Sequence, residues 1–474
     1  MAADDSLAAE QRTEEQTAAP TPHPRRHVIL AVVSAALFMS SIDQTIVATA
    51  LPALHHDLHT TINWSGWTIT VYSLGRLAIV PLAGRLGDRL GRRRVFLLGT
   101  AVFTVASLLC GTASDIYVLV VLRAVQALGG GALMPSATGI VAEHFGRGRD
   151  RAVGMFTSIV PIGGLVGPVL GGIFVTYWSW RGVFLVNVPL GVVLIALGLR
   201  IIPAGRTRPS DRFDAVGAAL LTGSMLAAMY AVTYLGEGHT SPVDPVFLGS
   251  TAAALLGFVL LVRRSMRHPL TAIIPARLLR GRGFGVMNVI NFLYGGAALG
   301  FSALVPLYAQ QRYGIRSLEA GTLLTARAVG MIVVAALAVA MLRRTGYRLP
   351  MLAGFVLSAI GLAIMAHAPV HGISAYAWLA GASALMGIGM GTASPASNNA
   401  SLQLEPESAT SVAGLRVMFR QAGSIIAVSV TTAILARSDH PGVAQGHVFL
   451  VFAVIVVVAV IPLVFRVPEH KGSW

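Results

Sequence analysis

Long apolar blocks alternate with short polar, arginine-bearing stretches along the whole chain. Val28 to Ala50, Val95 to Ala113 and Val448 to Phe465 are blocks with almost no charge. About 20 residues cross the hydrocarbon core of a bilayer as a helix, and no backbone polar group can go unpaired there, so each such block predicts a transmembrane helix. The pattern predicts spans at 28–50, 66–84, 95–113, 116–141, 152–176, 182–201, 215–235, 245–262, 284–309, 318–342, 349–368, 374–397, 411–436 and 448–466. These divide as six, two and six. Residues 28–201 make an N-terminal six-helix bundle, 202–282 a linker with two additional transmembrane helices, and 283–466 a C-terminal six-helix bundle. The acidic, non-periodic residues 1–27 and the short 467–474 segment read as cytoplasmic tails, the first disordered. The expected fold class is an all-α polytopic membrane protein, and two six-helix halves around a central ligand site is the layout of a rocking transporter.

Composition narrows the class further. A chain that is 55% hydrophobic and only 12% charged cannot cover a core of this size with polar surface. The net charge of +15 suggests nucleic acid, but Lys471 is the only lysine and the arginines sit in clusters between apolar blocks. That placement signals orientation rather than a binding face. With the N-terminus inside, only Arg181, Arg312, Arg316 and Arg437 fall in outside segments, so both termini are expected in the cytoplasm of a cell that holds the protein in its inner membrane. The first apolar block is too long for a cleavable signal and stays as the first span. Cys110, the single cysteine, excludes an intramolecular disulfide and reads as a packing residue. No GxxxxGK[ST] loop and no large acidic loop occurs, which leaves ATP drive and membrane-enzyme chemistry without support and implies no cofactor and no metal.

Four strings carry chemistry. In Ile42 to Pro52, Asp43 is a carboxylate deep in an apolar span, where ionisation is disfavoured; it is a proton carrier, a partner for substrate charge, or half of a static pair with an arginine. In Leu122 to Ala132, Arg123 is an ionisable group inside a span and so a functional candidate, able to help a nearby acid release its proton. In Pro161 to Gly172, Gly163, Gly167 and Gly171 recur every four residues, as do Gly164, Pro168 and Gly172; small residues at that spacing let helices touch backbone to backbone, and Pro168 permits a bend. In Gly84 to Arg94, Gly84 and Gly87 suit a tight turn and close helix approach. There Asp88 can pair with arginine or cap a helix, and Arg92 belongs to an arginine cluster that can latch and release the cytoplasmic side.

These strings resemble, in turn, the span 1, span 4, span 5 and span 2–3 signatures of the major facilitator superfamily, and within it the fourteen-span drug:proton antiporters. Trp180 to Gly191, Phe213 to Gly217, Val305 to Gln310 and Phe419 to Ser424 are further likenesses, so the resemblance covers most of the chain. It implies a proton-coupled antiporter that exports a drug, antibiotic or similar amphipathic small molecule. Proton coupling then falls to Asp43 and Arg123, a cytoplasmic gate to Gly84, Asp88 and Arg92, and an antiporter motif to Pro161, Gly163, Gly167, Pro168, Gly171 and Gly172. A same-fold transporter importing or exporting a specific metabolite is the alternative. Partners are the small-molecule substrate, protons and the lipid bilayer, without nucleic acid, and the protein is expected to work as a monomer.

Ala127 departs from the usual glycine of its motif, and the second-half counterpart Leu342 to Pro350 keeps Gly346 but lacks a matching acid. Polar residues expected in the substrate cavity are Gln44, Asn187, Asn288, Asn291, Tyr294, Asn398 and Asn399. Arg76, Arg327, Arg416 and Arg420 also lie within spans, and a positive cavity would suit anionic or neutral substrates. Leu54 to His59 groups three histidines and an acid and reads as a solvated outer loop.

Overall fold

The computed structural model describes residues 25–145, 152, 155, 159–204, 214–236, 241, 243–268, 283–404 and 409–467. Their long helices follow the apolar blocks. The first six are α1 (Arg26–Asp57), α2 (Ile62–Leu90), α3 (Arg92–Thr112), α4 (Ile116–Phe145), α5 (Ile159–Tyr177) and α6 (Gly182–Ile201). Then come α7 (Ala215–Gly236) and α8 (Pro245–Arg267). The rest are α9 (Phe284–Gly295 and Ser302–Tyr313 joined by the π-helical Gly296–Phe301), α10 (Ser317–Thr345), α11 (Arg348–Ala366), α12 (Ala375–Gln403), α13 (Ala409–Ala436) and α14 (Pro441–Val464). Among the described residues, 10 helices are long and apolar enough to cross a membrane by length and composition; α2 and α12, richer in polar residues, and α5 and α9, whose apolar stretches are shorter, are not among them.

Local chemistry sets several helix ends. The Thr61 side chain accepts from Trp64 N at the start of α2, Asp244 from Val246 N before α8, and Ser374 from Ala377 N before α12. Gly91, at φ +91°, turns the chain between α2 and α3, and Gly346, at φ +71°, does the same between α10 and α11. Here the structure corrects the sequence reading. Gly84 and Gly87 lie inside α2, not in a turn, and a Cβ at Gly84 would meet nothing within 4 Å. The α1 helix also runs past its apolar block through Pro52 to Asp57, so His55 and His56 belong to its last turn rather than to a loop.

The two halves repeat one set of pairings. In the first, α1 packs on α5, α2 and α3 on α4, and α3 on α6; in the second, α9 packs on α13, α10 and α11 on α12, and α11 on α14. The halves meet where α5 lies on α10, α2 on α13 and α1 on the second part of α9. The inserted α7 and α8 pack on each other, and α7 also touches both α2 and α13. Asp214 anchors this pair: Oδ1 accepts from Gly217 N at 2.8 Å and from Arg264 Nε of α8 at 2.6 Å.

Candidate functional site

The carboxylate of Asp43 is fully enclosed in the first bundle, as is Arg123. Arg123 Nη1 donates to Asp43 Oδ2 at 2.7 Å. Asp43 Oδ1 accepts from Gln126 Nε2 and from Asn187 Nδ2, each at 2.9 Å. The guanidinium also donates from Nε to the Thr68 carbonyl at 3.0 Å and from Nη1 to Gln126 Oε1 at 2.6 Å. Gln126 Nε2 lies 2.7 Å from Ser107 Oγ, and the Arg123 guanidinium carbon sits 4.0 Å from the centre of the Tyr72 ring. Residues from α1, α2, α3, α4 and α6 thus converge on one ion pair. The carboxylate is not alone in an apolar span: it is paired with an arginine and held by two amide side chains.

Asn187, assigned to the substrate cavity from sequence, belongs to this network instead. It is buried, its amide serves Asp43, and α6 is drawn against α3 where Gly191 faces Thr104. Gln44, one residue from Asp43, turns to α2 and accepts from Arg76 Nη1.

The glycines of α5 explain how α1 is held. A Cβ at Gly163 would meet Ser41 Oγ, one at Gly167 would overlap Thr45 Oγ1, and one at Gly171 would overlap Thr49 Oγ1 while lying 2.5 Å from the Ile46 carbonyl. Each glycine faces one hydroxyl residue of α1, four positions apart on both helices. Gly172 and Pro168 face the other way: a Cβ on Gly172 would be 2.6 Å from Leu318 Cα, and Gly321 of α10 closes on the Pro168 carbonyl. So α5 presents one small face to its own bundle and one to the opposite bundle. Gly164 has nothing within 4 Å, and the Pro161 side chain lies outside the described residues.

At the α2–α3 turn, Arg92 Nη1 donates to the Gly139 carbonyl of α4 at 2.8 Å and stands 3.4 Å from Glu143 Oε1. The Asp88 side chain lies outside the described residues. At the far end of the bundle, Asp57 Oδ2 accepts from Trp180 Nε1 and from Arg181 Nη1, both at 2.7 Å. Those hydrogen bonds, Trp180's first, hold the Asp57 carboxyl below its usual range.

In the second bundle, Tyr294 OH donates to the Met390 carbonyl at 3.4 Å, and the Arg420 guanidinium lies over the Tyr294 ring at 4.0 Å. Arg416 Nε donates to Asn291 Oδ1 at 3.4 Å, and Asn291 Nδ2 donates to the Met287 carbonyl at 2.8 Å. Asn288 is buried on the same helix, and Asn398 and Asn399 are half-buried near the end of α12.

The sequence reading missed a polar seam joining three helices. Asn63 Nδ2 donates to the Thr233 carbonyl at 2.9 Å, Trp67 Nε1 donates to Thr233 Oγ1 at 2.7 Å, and Thr432 Oγ1 stands 3.3 Å from Asn63 Oδ1. Two polar side chains one helical turn apart at the start of an apolar span are the signal that marks such a seam.

A multi-pass helical membrane protein of two like bundles, with an ion pair buried in one and arginines in the other, is a solute transporter by architecture. The Major Facilitator Superfamily model matches residues 33–289 and again 287–474, and the chain belongs to that family. It is 28% identical over 421 residues to the multidrug transporter protein MdtP of Bacillus subtilis, covering 88% of this chain and 76% of that one. It is 31% identical to the tetracenomycin C resistance and export protein of Streptomyces glaucescens, covering 70% and 62%. It is 28% identical to the riboflavin transporter RibZ of Clostridioides difficile, covering 73% and 75%. The inward-open xylose transporter of E. coli shares the fold, with a TM-score of 0.65 at 13% identity over 94% of this chain and 98% of that one.

Proposed function

We propose that this protein exports an amphipathic small molecule, such as a drug or antibiotic, in exchange for protons by alternating access. On this reading it lies in the cell membrane with fourteen spans and both termini in the cytoplasm, and works as a monomer. The observation that carries the reading is the setting of Asp43. Its oxygens face only donors, supplied by α4 and α6, so a proton arriving on the carboxylate removes acceptor capacity from Arg123, Gln126 and Asn187 together. Protonation therefore loosens α1 from α4 and α6, while α5 ties α1 to the seam with α10. A proton event in one bundle gains a mechanical route to the interface between bundles.

The described contacts between halves gather at the end bearing the 57–62 and 313–317 turns: Gly172 against Leu318, Thr325 near the Leu165 carbonyl, and Asn63 against Thr432. That supports a conformation shut on the outer side, with Arg92 and Asp88 serving as the gate of the other. The multidrug and tetracenomycin C relatives support export, and the riboflavin transporter favours a second reading, movement of one specific metabolite.

Inverted vesicles separate the readings. Imposing a proton gradient should drive accumulation of one or more antibiotics from a varied panel, and Asp43→Asn should abolish that accumulation while protein remains in the membrane. Gradient-driven uptake undiminished in Asp43→Asn rejects the coupling role. Movement of a vitamin-like metabolite alone selects the second reading.

A further inference from the structure

Buried arginines are treated differently in the two bundles. Arg123 of the first has a carboxylate at 2.7 Å. In the second, Arg416 is only 9% exposed and Arg420 is half-buried, and the partners seen for them are the neutral Asn291 and the face of Tyr294. They sit one helical turn apart on α13, both in contact with α9, at a spacing where like charges disfavour each other. Arg327 of α10 adds a third positive charge: its backbone packs on Gly387 of α12, one turn from Met390, whose carbonyl accepts from Tyr294.

Among the described residues of this half, no carboxylate pairs with Arg416 or Arg420. After residue 283 the acids are Glu319, Glu405, Glu407, Asp439 and Glu469. Glu319 lies in the first turn of α10, and eight residues of helix place Arg327 about 12 Å further along. Asp439 lies in the turn before α14, and the other three fall outside the described residues. A buried cation is stable when an anion accompanies it, and a guanidinium is a planar fork shaped for carboxylates and phosphates. A cationic solute would instead enter a field of its own sign in a medium of low dielectric.

We propose that the transported molecule carries an anionic group, a carboxylate, sulfonate or phosphate ester, that docks on Arg416 and Arg420 beside Tyr294. Passage across the membrane after docking rests on the transport reading, whereas docking itself is separable from it. The same chemistry is offered by a soluble organic anion and by an anionic lipid headgroup.

The test uses the purified full chain and two xanthene dyes of opposite charge, fluorescein and rhodamine 123, together with NBD-labelled phosphatidylglycerol. Dye binding is read by anisotropy in detergent, dye transport in liposomes, and lipid movement by dithionite quenching. The expected result is tighter binding of fluorescein or of the labelled lipid than of rhodamine 123. Arg420→Gln and Arg416→Gln should each weaken that binding by about tenfold, with Arg420→Lys and Arg416→Lys losing much less. Whichever anion shows this arginine dependence identifies the source. Preference for rhodamine 123, failure of both anions to bind, or equal losses in the Gln and Lys variants overturns the proposal, the last because it marks a purely structural role. Arginine-dependent anion binding without any solute crossing the bilayer upholds this inference and sinks the transport reading instead.

Discussion

Arg123 reaches Asp43 across 80 positions of sequence, and the two meet at 2.7 Å with neither side chain open to solvent. Removing one member leaves the other charge uncompensated, which in buried pairs destabilises by about 3–5 kcal/mol. Asp43→Asn and Arg123→Gln should therefore each lower the melting temperature of the purified protein. The double variant should recover much of the loss, because no lone charge remains, yet stay uncoupled from protons. A double variant no more stable than either single one would show that the two side chains do not act as a unit.

The glycines of α5 make a graded set. Gly164→Ala adds a methyl where nothing lies within 4 Å and should leave folding and transport unchanged. Gly171→Ala drives the same methyl against Thr49 and the Ile46 carbonyl, which is backbone and cannot rotate away. Overpacking of this kind is disfavoured by about 1–3 kcal/mol. Thermal unfolding of both variants, measured side by side, checks the contrast; equal stability would mean α1 and α5 are free to part.

Arg92 offers a different signature. Its contact with Glu143 is partly exposed and such pairs contribute only about 0–1 kcal/mol. Arg92→Ala should then leave stability nearly untouched while slowing turnover, since the guanidinium also holds the Gly139 carbonyl at the joint between α2, α3 and α4. Transport kinetics should show a fall in maximal rate with little change in half-saturation. A loss confined to half-saturation would remove Arg92 from the gate.

Asp57 sets a limit on pH sensing at the end of α1. Its carboxyl is held below the usual range in the folded protein, so the link to Trp180 and Arg181 is at full strength above the unfolded value near 3.9 and is lost only as pH falls through the lower folded value. Trp fluorescence that differs between the native protein and Asp57→Asn should therefore stay flat from pH 8 to about pH 5 and change only below about pH 4. A transition between pH 5 and 7 would remove the Asp57 carboxyl as its source.

Much of the architecture is readable in the residue order, for local reasons. Apolar block length places the helices, and an acid at 43 and an arginine at 123 stand out because lipid tolerates neither alone. Partnership across distance stays hidden. Periodicity marks a face but not its neighbour, so sequence puts Asn187 with the substrate rather than with Asp43, and the polar pair Asn63 and Trp67 hints at a seam without naming Thr233 as its partner. Residue type alone assigns the turn before α3 to Gly84 and Gly87, although the helix continues through both; only the positive φ at Gly91, invisible in sequence, identifies the residue that turns. Apolar blocks end short of Asp57 and Leu90 because an amphipathic end leaves the bilayer without leaving the helix.

The inserted α7 touches α2 of one half and α13 of the other. A wedge on one flank makes the molecule lopsided: among the described residues no such brace packs on the seam between α5 and α10, whereas parting α2 from α13 means breaking the Asn63 and Trp67 hydrogen bonds or carrying α7 along with one side. Any swing of the two halves is therefore hung like a door, stiff along the braced edge and freest along the opposite one.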